Sequence, residues 1–142
     1  MNFLLSKGFC VYALVKDKKD NKKFRFNRNL KVINGNVNNF NLVKKIFSDA
    51  NKNNKVITGL VNNAGIRQRK KFLKIKKKEL MQVFDTNFFS IFNLMQVFSK
   101  NCIQNKLEGS IVNIASIVGQ NGFDELSSYS ASKGALISLT KS

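Results

Sequence analysis

With 142 residues and 43% apolar side chains, the chain suits one domain, residues 1–142, with a core of its own, and it holds no repeats and no Pro-rich or Gly/Ser-rich linkers. Cys10 and Cys102 stand alone and histidine is absent, which excludes a disulfide framework and a zinc site and suits reduced, buried thiols in a cytoplasmic protein. The formal charge of +17 raises nucleic-acid binding. Its lysines are scattered, though, in a chain rich in Asn, Ile and Phe and free of Pro, so an AT-rich genome explains them and no nucleic-acid partner is expected.

Residues 1–15 are apolar, but Lys7-Gly8 interrupts them and no small-residue cleavage site follows, so no signal peptide is read there. Apolar runs predict strands over 9–15 and 30–34, a helix over 39–50, and a third strand over 56–61 that ends on Asn62-Asn63-Ala64-Gly65. A loop follows to about Lys74. Its run Arg67-Gln68-Arg69-Lys70-Lys71, with Lys74, Lys76, Lys77 and Lys78, reads as solvated surface; the alternative is attraction of a phosphate-bearing or acyl-carrier substrate. Helical sequence spans 76–104, where Leu80, Val83, Phe84, Phe88, Ile91, Met95 and Phe98 recur at three- and four-residue steps. Asp85, Asn87, Ser90, Asn93 and Gln96 interrupt its Phe-rich part, so no membrane span is expected. A strand over 110–115 ends on Ser116, and a helix starts at Ser127. Strands that are nearly continuous apolar runs, alternating with helices, predict an α/β fold with a doubly wound parallel sheet covered on both faces.

The chemistry concentrates in Tyr129-Ser130-Ala131-Ser132-Lys133, with Ser116 thirteen residues upstream. On a helix the phenol and the ammonium share one face. A cation ~4 Å from a phenolate, at an effective dielectric of about 20, stabilises it by ~4 kcal/mol, enough for acid–base work near neutrality. Tyr12 and Lys16 have the same spacing but lie in a β-type run, where residues four apart are ~13 Å from each other. Asn62 to Gly65 and Ser116 end strands, where α/β folds bind ligands, and Asn87 is an amide on a helix that is otherwise apolar on one face.

Asn62-Asn63-Ala64-Gly65, Asn87, Ser116 and Tyr129 with Lys133, in this order, resemble the short-chain dehydrogenase/reductase family, classical type, from about residue 3 to residue 141. The resemblance implies an NAD(P)-dependent oxidoreductase of Rossmann fold that moves a hydride between the nicotinamide and a small carbonyl or alcohol substrate. Such an enzyme could be similar to a 3-oxoacyl-carrier-protein reductase or to a sugar or polyol dehydrogenase. It implies Tyr129 as proton donor or acceptor, Lys133 as its electrostatic partner and ribose ligand, Ser116 as hydrogen-bond donor to the substrate oxygen, and Asn87 as anchor of a water behind Lys133. Lys16, Asn36, Val37, Asn62, Asn63, Ala64 and Gly65 would bind the cofactor with Tyr129 and Lys133. Val15-Lys16 at the first strand's end leans to NADP, while Asp17 keeps NAD open. Asn36 replaces the family's usual aspartate.

The family's first strand, with its T-G-x-x-x-G-x-G turn, and its last strands have no counterpart, so the chain resembles a fragment whose segment 1–8 is the tail of the first helix, capped by Gly8. The absent strand would lie between those at 9–15 and 56–61, leaving two half-sheets with bare edges and an unstable chain. No metal and no membrane partner is expected, and a homo-oligomer is expected at full length. The alternative is a catalytically inactive homologue or a basic binding fragment.

Overall fold

The computed structural model describes residues 1–142, save the Lys23 side chain. Helix α1 (Asn2–Ser6) ends where Gly8 takes a φ of +80°. The Gly8 and Phe9 N–H groups donate back to Leu5 and Leu4 at 3.1 Å each, a helix stop that wants glycine at this position. Strands β1 (Val11–Val15) and β2 (Leu30–Asn34) pair in parallel, Val15 opposite Asn34. A lysine-rich 3-10 segment, Lys18–Lys23, lies between them. Helix α2 (Phe40–Lys52) starts from Asn39, whose side chain accepts from Leu42 N–H at 3.0 Å, a cap worth about 1 kcal/mol.

Strand β3 (Gly59–Asn62) pairs in parallel with β4 (Ser110–Asn113), Asn62 opposite Asn113. Between them lie a 3-10 turn (Phe72–Lys74), helix α3 (Lys77–Phe84), a π-helical turn (Asp85–Phe89) and helix α4 (Ser90–Gln104). Short α5 (Val118–Asn121) and α6 (Ser127–Lys141) complete the chain.

The α/β alternation and parallel pairing are those the sequence predicts, and so is the break into two two-stranded sheets. Among the described residues no strand pairs with the other edge of β1 or of β3. Three expectations need correction. The predicted third strand starts at Gly59 rather than at residue 56: Thr58 O still accepts from Ser110 N–H at 3.0 Å, but Ile57 O accepts from Asn101 Nδ2 at 3.4 Å. Cys10 is exposed, and only Cys102 is buried. On the β3–β4 pair, cover on both faces is replaced by cover on one.

Period-two alternation explains that last result. Leu60 and Ile111 face α2 and α4, where Val43, Phe47, Phe98 and Cys102 form the core and the Phe47 and Phe98 rings meet edge to face at 6.5 Å. Val61 and Val112 point to the other face and stay 56% and 51% exposed. Among the described residues no helix is long and apolar enough to cross a membrane.

Candidate active site

The parallel registers bring two groups of loops to the carboxyl ends of their strands. In the first half, Gly35 N–H donates to Val15 O at 2.9 Å, which seats Lys16 beside the Gly35–Asn36 turn. Lys16 and Asn36 are exposed and Val37 is half-buried. Asn36 Oδ1 accepts from Asn38 N–H at 3.0 Å, and Asn38 Nδ2 reaches Thr86 Oγ1 at 3.5 Å, tying this turn to the π-helical turn of the second half.

In the second half, Asn62 is buried, while Asn63, Ala64 and Gly65 present an exposed backbone. Asn62 Nδ2 donates to Asn113 Oδ1 at 2.8 Å, and Asn113 Nδ2 donates to Thr140 Oγ1 on α6 at 2.9 Å. Asn62 Oδ1 is buried with no partner among the described residues.

Sequence periodicity predicts one continuous helix over 76–104, and the π-helical turn interrupts it at Asn87. An extra residue in that turn rotates Asn87 inward, where it is 0% exposed. Both its amide hydrogens and one oxygen lone pair are then used. Oδ1 accepts from Ile66 N–H at 2.8 Å, and Nδ2 donates to Ile66 O at 2.9 Å and to Ser132 Oγ at 3.0 Å. An isolated amide buried at this depth would cost a few kcal/mol, so the match of donors and acceptors is what makes the position tenable.

Lys133 projects from α6 into the same neighbourhood. It is 4% exposed, its ammonium donates to Ile114 O at 2.6 Å, and it lies 5.9 Å from the centre of the half-buried Tyr129 ring. No carboxylate neutralises it among the described residues. Burial holds its pKa below the ordinary lysine value of 10.5. Gly65 lies against it: a Cβ there would come within 3.4 Å of Asn87 Oδ1 and 3.8 Å of Lys133 Nζ. Gly119 of α5 is tighter still, since a Cβ would meet the Lys133 carbonyl carbon at 2.8 Å. Gly119 thus lets α5 close against the backbone of this lysine, whereas a Cβ at Gly65 would meet only ordinary contact distances.

Ser116 is half-buried, two residues beyond the carbonyl that Lys133 reaches. Its own carbonyl accepts from Gly119 N–H at 3.0 Å, which leads the chain into α5 and against α6. Among the described residues no hydrogen bond joins Ser116 to Tyr129 or Lys133. The structure therefore gathers Asn87, Gly65, Tyr129 and Lys133 by direct contact and Ser116 through α5, and sets Lys16, Asn36 and Val37 at the end of the other half-sheet. Ser132 and the Ile66 backbone belong to this cluster and went unnamed by motif. A serine one turn beyond Tyr129 and an amide at 87 were the signals for them.

Comparison with known proteins bears on the family and the fold. The profile of the family described as short chain dehydrogenase matches residues 2–142. L-2,3-butanediol dehydrogenase of Corynebacterium glutamicum is 41% identical over 78 residues, 55% of this chain and 30% of its own length. A 3-oxoacyl-[acyl-carrier-protein] reductase of Staphylococcus aureus is 33% identical over 110 residues, 78% of this chain and 44% of its own. The chain thus spans less than half the length of these curated relatives. A solved 4-hydroxyisoleucine dehydrogenase, complexed with NADH and succinate, superposes with a TM-score of 0.84 at 32% identity, over 99% of this chain and 63% of the other.

Proposed function

The chain belongs to the short-chain dehydrogenase family, and we propose that it forms the proton-transfer site of an NAD(P)-dependent oxidoreductase acting on a carbonyl or alcohol. The observation that carries this reading is the buried Lys133 ammonium, held over the Tyr129 ring by one backbone carbonyl and by no carboxylate. A buried, uncompensated cation beside a phenol is costly to keep, and it stabilises negative charge developing on the phenol oxygen.

The residues fit a nicotinamide dinucleotide. The exposed backbone of Asn63 to Gly65 allows close approach, and Lys133 lies beside it. One N–H of Lys133 is used on Ile114 O, which leaves capacity for ribose hydroxyls. When bound, the nicotinamide supplies or accepts the hydride. Tyr129 gives its proton to the carbonyl oxygen in reduction and recovers it from the alcohol in oxidation. Ser116 donates a hydrogen bond to that oxygen, and Asn87 holds the loop that ends β3 against α6 and anchors a water behind Lys133. Lys16 at the end of β1 suits a 2′-phosphate as a point charge, which favours NADP over NAD, with Asp17 as the opposing feature. Asn36 and Val37 flank the adenine side, with Asn62 behind the turn. The substrate is a 3-oxoacyl, sugar or polyol compound, and the Phe89 and Phe92 rings, 43% and 39% exposed, suit contact with a second copy.

The test is Tyr129→Phe in the protein that carries this chain. Turnover should fall by a factor of about 10² or more with cofactor affinity nearly intact, because only the transferred proton is lost. Full turnover in that variant would sink the reading.

A further inference from the structure

Serines inside helices ordinarily satisfy themselves by donating back to a carbonyl one turn earlier. Ser132 does this, donating to Tyr129 O at 2.7 Å. Its own helix does not require the second bond, which it accepts from Asn87 Nδ2 at 3.0 Å across a site where Ser132 is 0% exposed. Asn87 in turn clamps both backbone groups of Ile66, at 2.8 and 2.9 Å. The hydroxyl is therefore the one atom that both accepts from the Asn87 amide and donates to the turn carrying Tyr129. Without it, Asn87 would still hold Ile66 and α6 would still form, but the two would no longer be fixed to each other by a hydrogen bond.

We propose that Ser132 is a positioning residue: it fixes the Tyr129 turn relative to the loop of Gly65 and Ile66 on which the dinucleotide rests. This rests on the reading of Tyr129 as the proton-transfer group. The role predicts a division of effects. Ser132→Ala leaves both Ile66 bonds in place, so cofactor affinity holds while the phenol loses its register with the cofactor.

The experiment is a double-variant cycle on the protein that carries this chain, with steady-state kinetics on a carbonyl substrate and cofactor Kd from fluorescence titration. Ser132→Ala should lower kcat about tenfold, with substrate KM and cofactor Kd within about twofold. Asn87→Ala should lower kcat and weaken cofactor binding together. In the double variant, Ser132→Ala should add nothing to the loss from Asn87→Ala. An unchanged kcat in Ser132→Ala overturns the proposal, and so does a loss that multiplies in full onto that of Asn87→Ala. Ser132→Cys keeps the volume with a weaker donor and acceptor and should fall between wild type and Ala; if Ser132→Ala does not fold, full turnover in Ser132→Cys overturns the proposal. Tyr129→Phe, run alongside, separates the failures. Full turnover there sinks the reading of Tyr129, whereas its collapse beside an unaffected Ser132→Ala sinks this inference alone.

Discussion

The two half-sheets are built to different standards. Around β3, β4 and α4, side chains are buried and cross-linked: Asn62 to Asn113 to Thr140, Asn51 to Asn101, and Asn87 to Ile66 and Ser132. Around β1 and β2, no described residue before Val43 is buried at all, and Phe26 is 97% exposed. The proposed proton-transfer groups sit on the first kind of scaffold and the proposed adenosine contacts on the second. Groups that must hold a reacting atom within a fraction of an ångström need amide networks and a packed core. A lysine that meets a phosphate as a point charge does not.

This contrast can be broken most directly by unfolding. The chain has two tyrosines and no tryptophan, so Tyr129→Phe leaves Tyr12 of β1 as reporter of one half and Tyr12→Phe leaves Tyr129 as reporter of the other. Tyr12 emission should change at lower urea than Tyr129 emission, and one shared midpoint would end the comparison. Phe98, 2% exposed and packed on Phe47, should lose about 3–5 kcal/mol on replacement by Ala. Phe26→Ala should change stability by less than ~0.5 kcal/mol. Chemical denaturation of both variants checks the pair.

Lys133→Met probes the functional half from the opposite direction. Turnover should fall by a factor of about 10² or more, yet stability should hold or rise, because a buried ammonium with one carbonyl partner is replaced by an apolar chain of similar length. The pH dependence has a definite sign. Burial lowers the Lys133 pKa in the folded state below the 10.5 of the unfolded chain. At pH below the lowered value the whole desolvation cost is present. Between that value and 10.5 the folded protein sheds the proton first, and wild-type stability climbs relative to Lys133→Met. Thermal midpoints of both proteins from pH 7 to 10.5 should show this convergence, and a gap independent of pH would contradict the buried, charged lysine.

How far the sequence foretold these differences depends on what its signals are made of. Apolar runs located β1, β2 and α2 within two residues, because burial and period both act locally. Residues 56–58 belong to the same kind of run, yet the ladder to β4 stops at the Thr58 carbonyl, which accepts from Ser110 N–H at 3.0 Å, while Ile57 O accepts instead from Asn101 and from Cys102 Sγ, at 3.4 and 3.8 Å. That is a tertiary choice a local pattern does not encode. The π-helical turn was unreadable for a related reason: apolar spacing at three and four residues also fits an uninterrupted helix, and only the misplaced amide of Asn87 hinted otherwise. Of the candidate site, spacing alone fits Tyr12 and Lys16 as well, and helical context is what singled out Tyr129 and Lys133. Their linkage to Asn87 through Ser132 was not legible, because it depends on a rotation set by contacts 45 residues apart.

On the weaker half, Lys16→Glu sharpens the cofactor side of the contrast. Placed against a 2′-phosphate, the carboxylate should reduce the preference for NADPH over NADH by a factor of about 10, equal to 1.4 kcal/mol. Stability should barely change, since Lys16 is exposed. Ratios of kcat/KM for the two cofactors decide it, and an unchanged ratio would move cofactor discrimination away from the end of β1.

The smallest effect belongs to the basic segment that joins β3 to α3. Arg69 pairs with Glu125 at 2.8 Å, Lys70 N–H donates to Glu125 O at 2.8 Å, and the Lys70 ammonium meets both oxygens of Glu79 at 2.7 and 2.8 Å. Lys70, with the Lys76 N–H, holds the Glu79 carboxyl below its ordinary value of 4.5. Stability from this contact is present above 4.5 and is lost as pH falls through the lowered value, where folded and unfolded states are both protonated. Glu79→Gln should therefore melt slightly below wild type at pH 7 and together with it in strong acid, with the gap narrowed by salt because the pair is solvent-accessible. A gap that persisted in acid would mean that Glu79 acts through packing that glutamine does not reproduce, rather than through its charge, since glutamine can still accept from Lys76 N–H.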